Sequence, residues 1–306
     1  MWIGENMILK DVLLKGIEIL KNAANETPAL EAGVMLCFIL KQDKTFLYTH
    51  DDYTLSCEDK EFFFQLIYKR AKGIPLQYLV GHQEFMSLTF TVTPDVLIPR
   101  QDTEILVETV IKYFTRTQSE KLTKSPLELP YYNYPIANGN SVHILDMGTG
   151  SGCISVSLAH YIKESCITAV DYSTDALGIA CLNALNNGVF DQITFLQSNL
   201  FEEVDDYFDA IVSNPPYIKT TEIEALMTEV KDYEPLEALD GGSDGLNFYR
   251  EIVKKAPKFL KLGGLLAFEV GFDQAVDVSK MMEKDFHHIE VIKDLAGIDR
   301  VIMGVL

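Results

Sequence analysis

The chain has no paired-cysteine motif. Its five cysteines, Cys37, Cys57, Cys153, Cys166 and Cys181, are odd in number and scattered, and none forms a CxxC pair. That argues against a disulfide framework and a zinc site, so no metal is expected and each cysteine reads as a free structural thiol in a reducing compartment. Long apolar runs are absent too: none approaches a transmembrane helix, and no membrane partner is expected. The first ten residues lack a basic segment followed by an apolar one, so no signal peptide is expected and the cytoplasm is the expected location. Positive charge is scarce. Twenty-six basic residues face 45 acidic ones, a net charge of −19. The average field repels phosphate backbones, so nucleic acid is not expected as a direct partner. There are no internal repeats.

What is present is enough for two modest domains. The 306 residues are 47% hydrophobic and 23% charged, an ordinary soluble balance. Ile8, Leu9, Val12, Leu13, Ile17 and Leu20 recur at helical spacing within 7–24. Thr27-Pro28 starts a second helix that runs to about Leu40. Ser56 with Asp59 reads as a capping box ahead of Phe62, Phe63, Leu66 and Ile67. Residues 1–84 are therefore expected to form a helical bundle. It contains no catalytic constellation, and His50 and His82 stand alone. From Glu84 to Val96 the period becomes strand-like, with Phe85, Leu88, Phe90 and Val92 alternating with polar residues. A β-hairpin linker over 85–98 is expected there, and a second domain over 99–306. Asp102-Thr103-Glu104 opens a helix, and the polar stretch Thr115 to Ser141 reads as a surface loop.

At Val142 a regular alternation of strands and helices begins, which implies a mostly parallel, doubly wound α/β sheet. The first strand ends in Gly148-Thr149-Gly150-Ser151-Gly152, followed by a helix. Glycines at that junction let a ligand approach the backbone closely. The turn lacks the P-loop lysine and departs from the G-x-G-x-x-G dinucleotide fingerprint, since Cys153 follows its third glycine. Asp171 ends the next strand, 19 residues after Gly152, where a carboxylate can take both ribose hydroxyls. A ribose carboxylate without a phosphate-binding element suggests a nucleoside ligand lacking pyrophosphate. S-adenosylmethionine fits best; NAD fits the turn less well.

A fourth strand, Phe208 to Val212, runs into Ser213-Asn214-Pro215-Pro216-Tyr217-Ile218. Two prolines end the strand and hold a stiff turn at its carboxyl end, where open α/β sheets bind ligands. The turn offers the Asn214 amide, the Pro215 carbonyl and the Tyr217 ring, with no base, thiol or metal ligand. It suits a reaction that holds a planar NH2 group between two acceptors. A Pro-Pro loop with a buried tyrosine is the plainer alternative.

The glycine turn, Asp171 with Ser173 and Ala176-Leu177, and Asn-Pro-Pro-Tyr together resemble the class I S-adenosylmethionine-dependent methyltransferases, a Rossmann-like fold. Further stretches narrow the resemblance: Ile74-Pro75-Leu76-Gln77-Tyr78, Gly81 with Glu84-Phe85, and Leu97-Ile98-Pro99-Arg100 with Thr103-Glu104. Tyr233-Glu234-Pro235 with Ala238-Leu239, Gly241-Gly242 and Asp244-Gly245-Leu246 complete the set. These are similar to the protein-(glutamine-N5) methyltransferases, and best to those acting on the Gly-Gly-Gln glutamine of peptide chain release factors. Two positions depart from that family's pattern: Gln101 replaces a proline, and Asn199 stands where an aspartate often meets the adenine amino group.

The resemblance implies the cofactor S-adenosylmethionine, held by Gly148, Thr149, Gly150, Ser151, Gly152, Asp171, Asn199, Leu200 and Asn214. It implies Asn214, Pro215 and Tyr217 as catalytic residues, with Pro216, Phe85, Arg100 and Glu104 also at the substrate. For the last three, a hairpin core ring and a surface ion pair are the alternative. The implied partner is a release factor, met by a monomer with a helical domain that recruits it, in the service of translation termination. A ribosomal-protein glutamine, or adenine N6 in nucleic acid, are competing substrates.

Overall fold

A computed structural model describes residues 7–115 and 141–306. The polar connection expected as a surface loop lies, over 116–140, outside the described residues. In chain order the first elements are α1 (Leu9–Asn22), α2 (Pro28–Leu40), α3 (Lys44–Thr49), α4 (Cys57–Ala71) and α5 (Leu76–Val80). A hairpin follows, β1 (His82–Phe85) and β2 (Leu88–Thr91), then α6 (Thr103–Thr115), β3 (Val142–Met147) and α7 (Cys153–Tyr161). Next come β4 (Ser165–Asp171), α8 (Thr174–Asn186), β5 (Ile193–Gln197), β6 (Phe208–Ser213) and α9 (Thr228–Lys231). The chain closes with α10 (Asn247–Lys255), β7 (Leu260–Glu269), α11 (Ala275–Met282), β8 (His287–Lys293) and β9 (Asp299–Val305).

These elements fall into two compact units: Met1–His82 with Met227–Tyr233, and Gln83–Leu226 with Glu234–Leu306. The helical unit follows the apolar spacing of the sequence. Leu9, Val12 and Leu20 of α1, Met35 and Leu36 of α2, and Phe63, Leu66 and Ile67 of α4 form its core. The expected capping box is made: Ser56 Oγ accepts from the Asp59 N–H at 3.0 Å and donates to the Asp59 carboxylate at 2.7 Å. The segment Met227–Tyr233 joins this unit through Arg70. That guanidinium binds Glu31 of α2 at 2.5 Å and Glu229 of α9 at 2.6 Å. Nothing in the sequence pattern signalled that a stretch so far along the chain belongs here. Nor did it signal α3, α5 and α9, which have 6, 5 and 4 residues, too few to show a helical period.

In the second unit seven strands form one sheet, ordered β5-β4-β3-β6-β7-β9-β8. β5, β4, β3, β6 and β7 are parallel, and β9 pairs antiparallel with both β7 and β8. Burial on both faces explains why the central strands read as continuous apolar runs; all six residues of β6 are buried. One of them is Asp209, whose Oδ2 accepts from the His143 N–H and from Lys261 Nζ, both at 2.8 Å. The hairpin belongs to this unit and is more than a linker. Phe85 and Phe90 sit in the core with rings edge to face, centroids 5.9 Å apart. Asn183 of α8 bonds the Thr91 N–H and C=O, at 2.7 and 3.0 Å, as a neighbouring strand would. Among the described residues no helix is long and apolar enough to cross a membrane.

Candidate active site

Chain order reverses between β3 and β6, the switch point where an open parallel sheet leaves a crevice beyond its carboxyl ends. The glycine turn follows β3, Asp171 ends β4, Ser198 to Leu200 follow β5, and Asn214 follows β6. The topology thus gathers the candidate residues on one edge.

In the glycine turn φ is +75° at Gly148 and +54° at Gly150, values that carry strain for any side chain. A Cβ built at either glycine would meet nothing within 4 Å, so the space beside this backbone is open. Four of the turn's five N–H groups are already committed. Gly148 and Thr149 donate to the Val170 carbonyl at 2.8 and 2.9 Å, and Gly152 donates to Thr149 at 2.8 Å. Gly150 donates to Asp171 Oδ2 at 2.8 Å. A phosphate cradle needs such groups free; this one suits a ligand without a pyrophosphate.

Thr149 and Ser151, expected at the cofactor, have buried side chains, so only their backbone can meet a ligand. The Thr149 hydroxyl donates to Asp146 Oδ2 at 2.6 Å, and the Ser155 N–H donates to the same oxygen at 3.1 Å. Asp146 is fully buried beneath the turn, and its Oδ1 has no hydrogen-bond partner among the described residues. Burial pushes its carboxyl up to about 6, against the opposing pull of the Ser155 and Thr149 hydrogen bonds. The sequence reading missed Asp146, although it immediately precedes Met147 and the turn. Cys153, at the start of α7, is no nucleophile: burial pushes its thiol up to about 12.

Asp171 links the turn to the next helix. Besides Gly150, it accepts the Ser173 N–H at 2.9 Å on Oδ1, and Ser173 in turn caps α8 by accepting from Ala176 at 3.2 Å. Each carboxylate oxygen thus has one backbone partner and keeps a second lone pair for a ligand. Burial raises the Asp171 pKa, and the backbone N–H groups restrain the rise. Asn199 is exposed and donates to Glu202 at 3.1 Å, while Leu200 is half-buried with φ of +54°. These residues fit a nucleoside: open space over the glycines, a carboxylate at the end of β4, and an apolar residue after β5.

The Asn-Pro-Pro-Tyr turn is held from below. Ser213 donates to the Met147 carbonyl at 2.7 Å, tying the end of β6 to the end of β3. Asn214 Nδ2 donates to Thr103 Oγ1 at 3.2 Å, which anchors the carboxamide through its nitrogen. Gln274 Nε2 donates to the carbonyls of Tyr217 and Gly245, at 2.9 and 3.1 Å. A Cβ at Gly241 would lie 2.8 Å from the Pro216 carbonyl, and one at Gly245 would collide with that of Tyr217. Gly241 and Gly245 are small because this turn lies against them, whereas Gly242 lies against the Asn247 side chain. The Tyr217 hydroxyl donates to Glu269 Oε1 at 3.4 Å. Burial and then Glu269 raise the Tyr217 pKa, which keeps the phenol protonated. Glu269, at the end of β7, is pushed up to about 7 by burial, while Thr103, Tyr217 and Arg300 pull it back.

Phe85, Arg100 and Glu104 each have partners within the protein. Phe85 is 1% exposed, a core ring of the hairpin. Arg100 Nη2 binds both oxygens of buried Glu234 at 2.6 and 2.7 Å. Glu104 accepts the Met86 N–H at 2.6 Å, and the Tyr161 hydroxyl donates to the Met86 carbonyl at 2.7 Å. Together they grip a hairpin turn whose Met86 and Ser87 both have positive φ.

The sheet order, the nucleoside cradle after β3 and the prolyl turn after β6 define a class I S-adenosylmethionine-dependent methyltransferase. Residues 135–231 match the model of the Methyltransferase small domain, and residues 11–81 that of the PrmC N-terminal domain. The hMettl16 catalytic domain is similar in fold alone, with a TM-score of 0.51 at 13% identity over 81% of this chain and 82% of that one. The release factor glutamine methyltransferase of Clostridium botulinum is 40% identical over 300 residues, 97% of this chain and 98% of its own. That of Geobacter sulfurreducens is 42% identical over 281 residues, 91% of this chain and 90% of its own. The chain belongs to the release factor glutamine methyltransferase family.

Proposed function

We propose that this enzyme methylates the side-chain amide nitrogen of the Gly-Gly-Gln glutamine in peptide chain release factors, modulating translation termination. The observation that carries the reading is the Asn214 amide, anchored through its nitrogen with its oxygen left as an acceptor. Bound S-adenosylmethionine supplies an electrophilic methyl group on a sulfonium. The chain supplies position. Asp171 would hold the ribose hydroxyls, the backbone of Gly148 to Gly152 would line the cofactor, and Asn199 and Leu200 would stand at the adenine.

A carboxamide nitrogen is a weak nucleophile because its lone pair is delocalised into the carbonyl. The Asn214 oxygen and the Pro215 carbonyl accept its two N–H groups and fix the nitrogen in line for transfer. Both acceptors also stabilise positive charge as it develops on that nitrogen. Tyr217 and Pro216 pack against the substrate amide, and the proton released leaves to water. The helical unit recruits the release factor, and the enzyme acts as a monomer in the cytoplasm. Tyr48 and Tyr68 of that unit are 83% and 55% exposed and are the first residues to probe for recruitment. Replacing both by Ala is expected to raise KM for release factor and leave kcat unchanged; an unchanged KM removes them from the contact.

The test is competition for label. Purified enzyme and labelled S-adenosylmethionine are offered release factor, ribosomal protein and RNA together. Label in release factor alone is the expected result, and label in RNA or ribosomal protein instead sinks the assignment. The acidity of the chain, −19 in net charge, favours the protein substrate over RNA.

A further inference from the structure

The prolyl turn has little means of holding itself. Pro215 and Pro216 have no N–H to donate, so the turn is fixed through its carbonyls, by donors from elsewhere in the chain. One such donor is the buried amide of Gln274. We propose that Gln274 is a positioning residue for methyl transfer, whose side chain aims the prolyl turn at the substrate nitrogen; this rests on the acceptor roles given to Asn214 and Pro215 above.

Gln274 immediately precedes α11 and is fixed by it. Its main-chain carbonyl accepts the Asp277 and Val278 N–H groups at 3.1 and 3.0 Å, which starts the helix. Ala275, Val278 and Met282 bury that helix in the core. The Gln274 side chain, 5% exposed, joins three other segments. Its Nε2 donates to the carbonyls of Tyr217 in the prolyl turn and Gly245 ahead of α10, and its Oε1 accepts the Gly271 N–H beyond β7 at 3.0 Å. The task needs two donors on one nitrogen with an acceptor beside it. A side-chain amide offers both; lysine and arginine cannot accept, and an ionised carboxylate cannot donate. The backbone is shaped around this amide. A Cβ at Gly245 would lie 2.6 Å from Nε2, and one at Gly271 would lie 2.8 Å from Oε1.

Two other bonds hold the turn at its ends. Ser213 donates to the Met147 carbonyl at 2.7 Å, and the Ile218 N–H donates to the Leu239 carbonyl at 3.0 Å. Between them, Gln274 fixes the main chain of Tyr217, and with it the distance of Pro215 and Asn214 from the reacting nitrogen. A misplacement of about 1 Å there can cost about 10²-fold in rate. The cofactor residues are held separately. Gly148, Thr149 and Gly150 bond to Val170 and Asp171, at the ends of β3 and β4. Losing the Gln274 bonds therefore displaces the acceptors of the substrate amide and leaves the cofactor cradle in place.

The test uses the full chain with Gln274→Met, Gln274→Glu, Gln274→Ala, Gly271→Ala and the Gln274→Ala/Gly271→Ala double variant. It measures kcat and KM for methyl transfer to release factor, and S-adenosylmethionine affinity by calorimetry. Gln274→Met keeps the length without any donor. Gln274→Glu keeps the shape and the acceptor for Gly271 but sets oxygens against two carbonyls. Both are expected to lower kcat at least about tenfold, with cofactor Kd within about twofold. Gly271→Ala presses on Oε1 and should lower kcat as well. On the Gln274→Ala background it should add less than about twofold, because the group it displaces is gone. The inference is overturned if Gln274→Met or Gln274→Glu lowers kcat by less than about tenfold. It is equally overturned if cofactor affinity falls in step with kcat, the mark of a merely structural bond, or if the Gly271→Ala loss persists in full without the Gln274 amide. Wild type that moves no label to release factor overturns the assigned substrate and this role with it, whereas active wild type beside unimpaired variants overturns the positioning role alone.

Discussion

The two turns at the carboxyl edge of the sheet are built alike and work differently. Each lies over a buried carboxyl, Asp146 under the glycine turn and Glu269 under the prolyl turn. Asp146 gathers the Thr149 hydroxyl and the Ser155 N–H on one oxygen and so folds a backbone into a cradle. Glu269 has a single long bond, 3.4 Å from the Tyr217 hydroxyl, and stands behind side chains instead of backbone. The glycine turn is soft in sequence and locked by its own hydrogen bonds; the prolyl turn is stiff in sequence and aimed by its neighbours. A cofactor common to many methyl transfers needs only a shaped surface. A weak nucleophile needs a particular atom pointed at it.

Breaking the prolyl side should have the largest effect. Asn214→Ala is expected to lower kcat on release factor about 10²–10³-fold, the usual loss on removing one positioned acceptor, with cofactor affinity nearly unchanged. Asn214→Asp keeps an acceptor but loses the donor to Thr103 and adds a charge, so it too should be impaired in kcat. On the other side, Asp171→Ala should weaken S-adenosylmethionine binding by about 1.5–3 kcal/mol, because a charged acceptor is lost. Calorimetry showing an unchanged Kd would refute that role.

The two buried carboxyls give a smaller, pH-dependent effect. Both have folded-state pKa values raised by burial, Asp146 from 3.8 to about 6 and Glu269 from 4.5 to about 7. The native state therefore holds these protons more tightly than the unfolded chain. Stability is lost as pH rises, over roughly pH 4 to 6 for Asp146 and 4.5 to 7 for Glu269, by about 3 kcal/mol each. Asp146→Asn and Glu269→Gln stay neutral, so each should gain in Tm relative to wild type as pH rises. The Asp146→Asn gain should level off about one pH unit earlier. Denaturation curves across that range check this, and a gain that shrinks with pH contradicts the assigned burial.

The glycine turn, Asp171 and the prolyl turn were legible because each is a local signal at the end of an apolar strand. The contacts of Thr103 and Glu269 were not, since they arise from long-range packing. Thr103 is 111 residues from Asn214, and Glu269 is 52 from Tyr217. Only the placement of β7 beside β6 brings Glu269 to the turn. Phe85 shows the opposite case. The same alternation that marked its strand also places its ring inward, against Phe90.

The central claim is that the prolyl turn directs methyl transfer to one nitrogen, and a single-turnover reaction tests it most directly. Wild type and Asn214→Ala, both saturated with labelled S-adenosylmethionine, are mixed with purified release factor and quenched at intervals, and the labelled peptide is mapped by mass. The account predicts label on the side-chain nitrogen of the Gly-Gly-Gln glutamine, arriving about 10²–10³-fold more slowly in the variant. Label on any other residue, or equal rates in the two proteins, would contradict it.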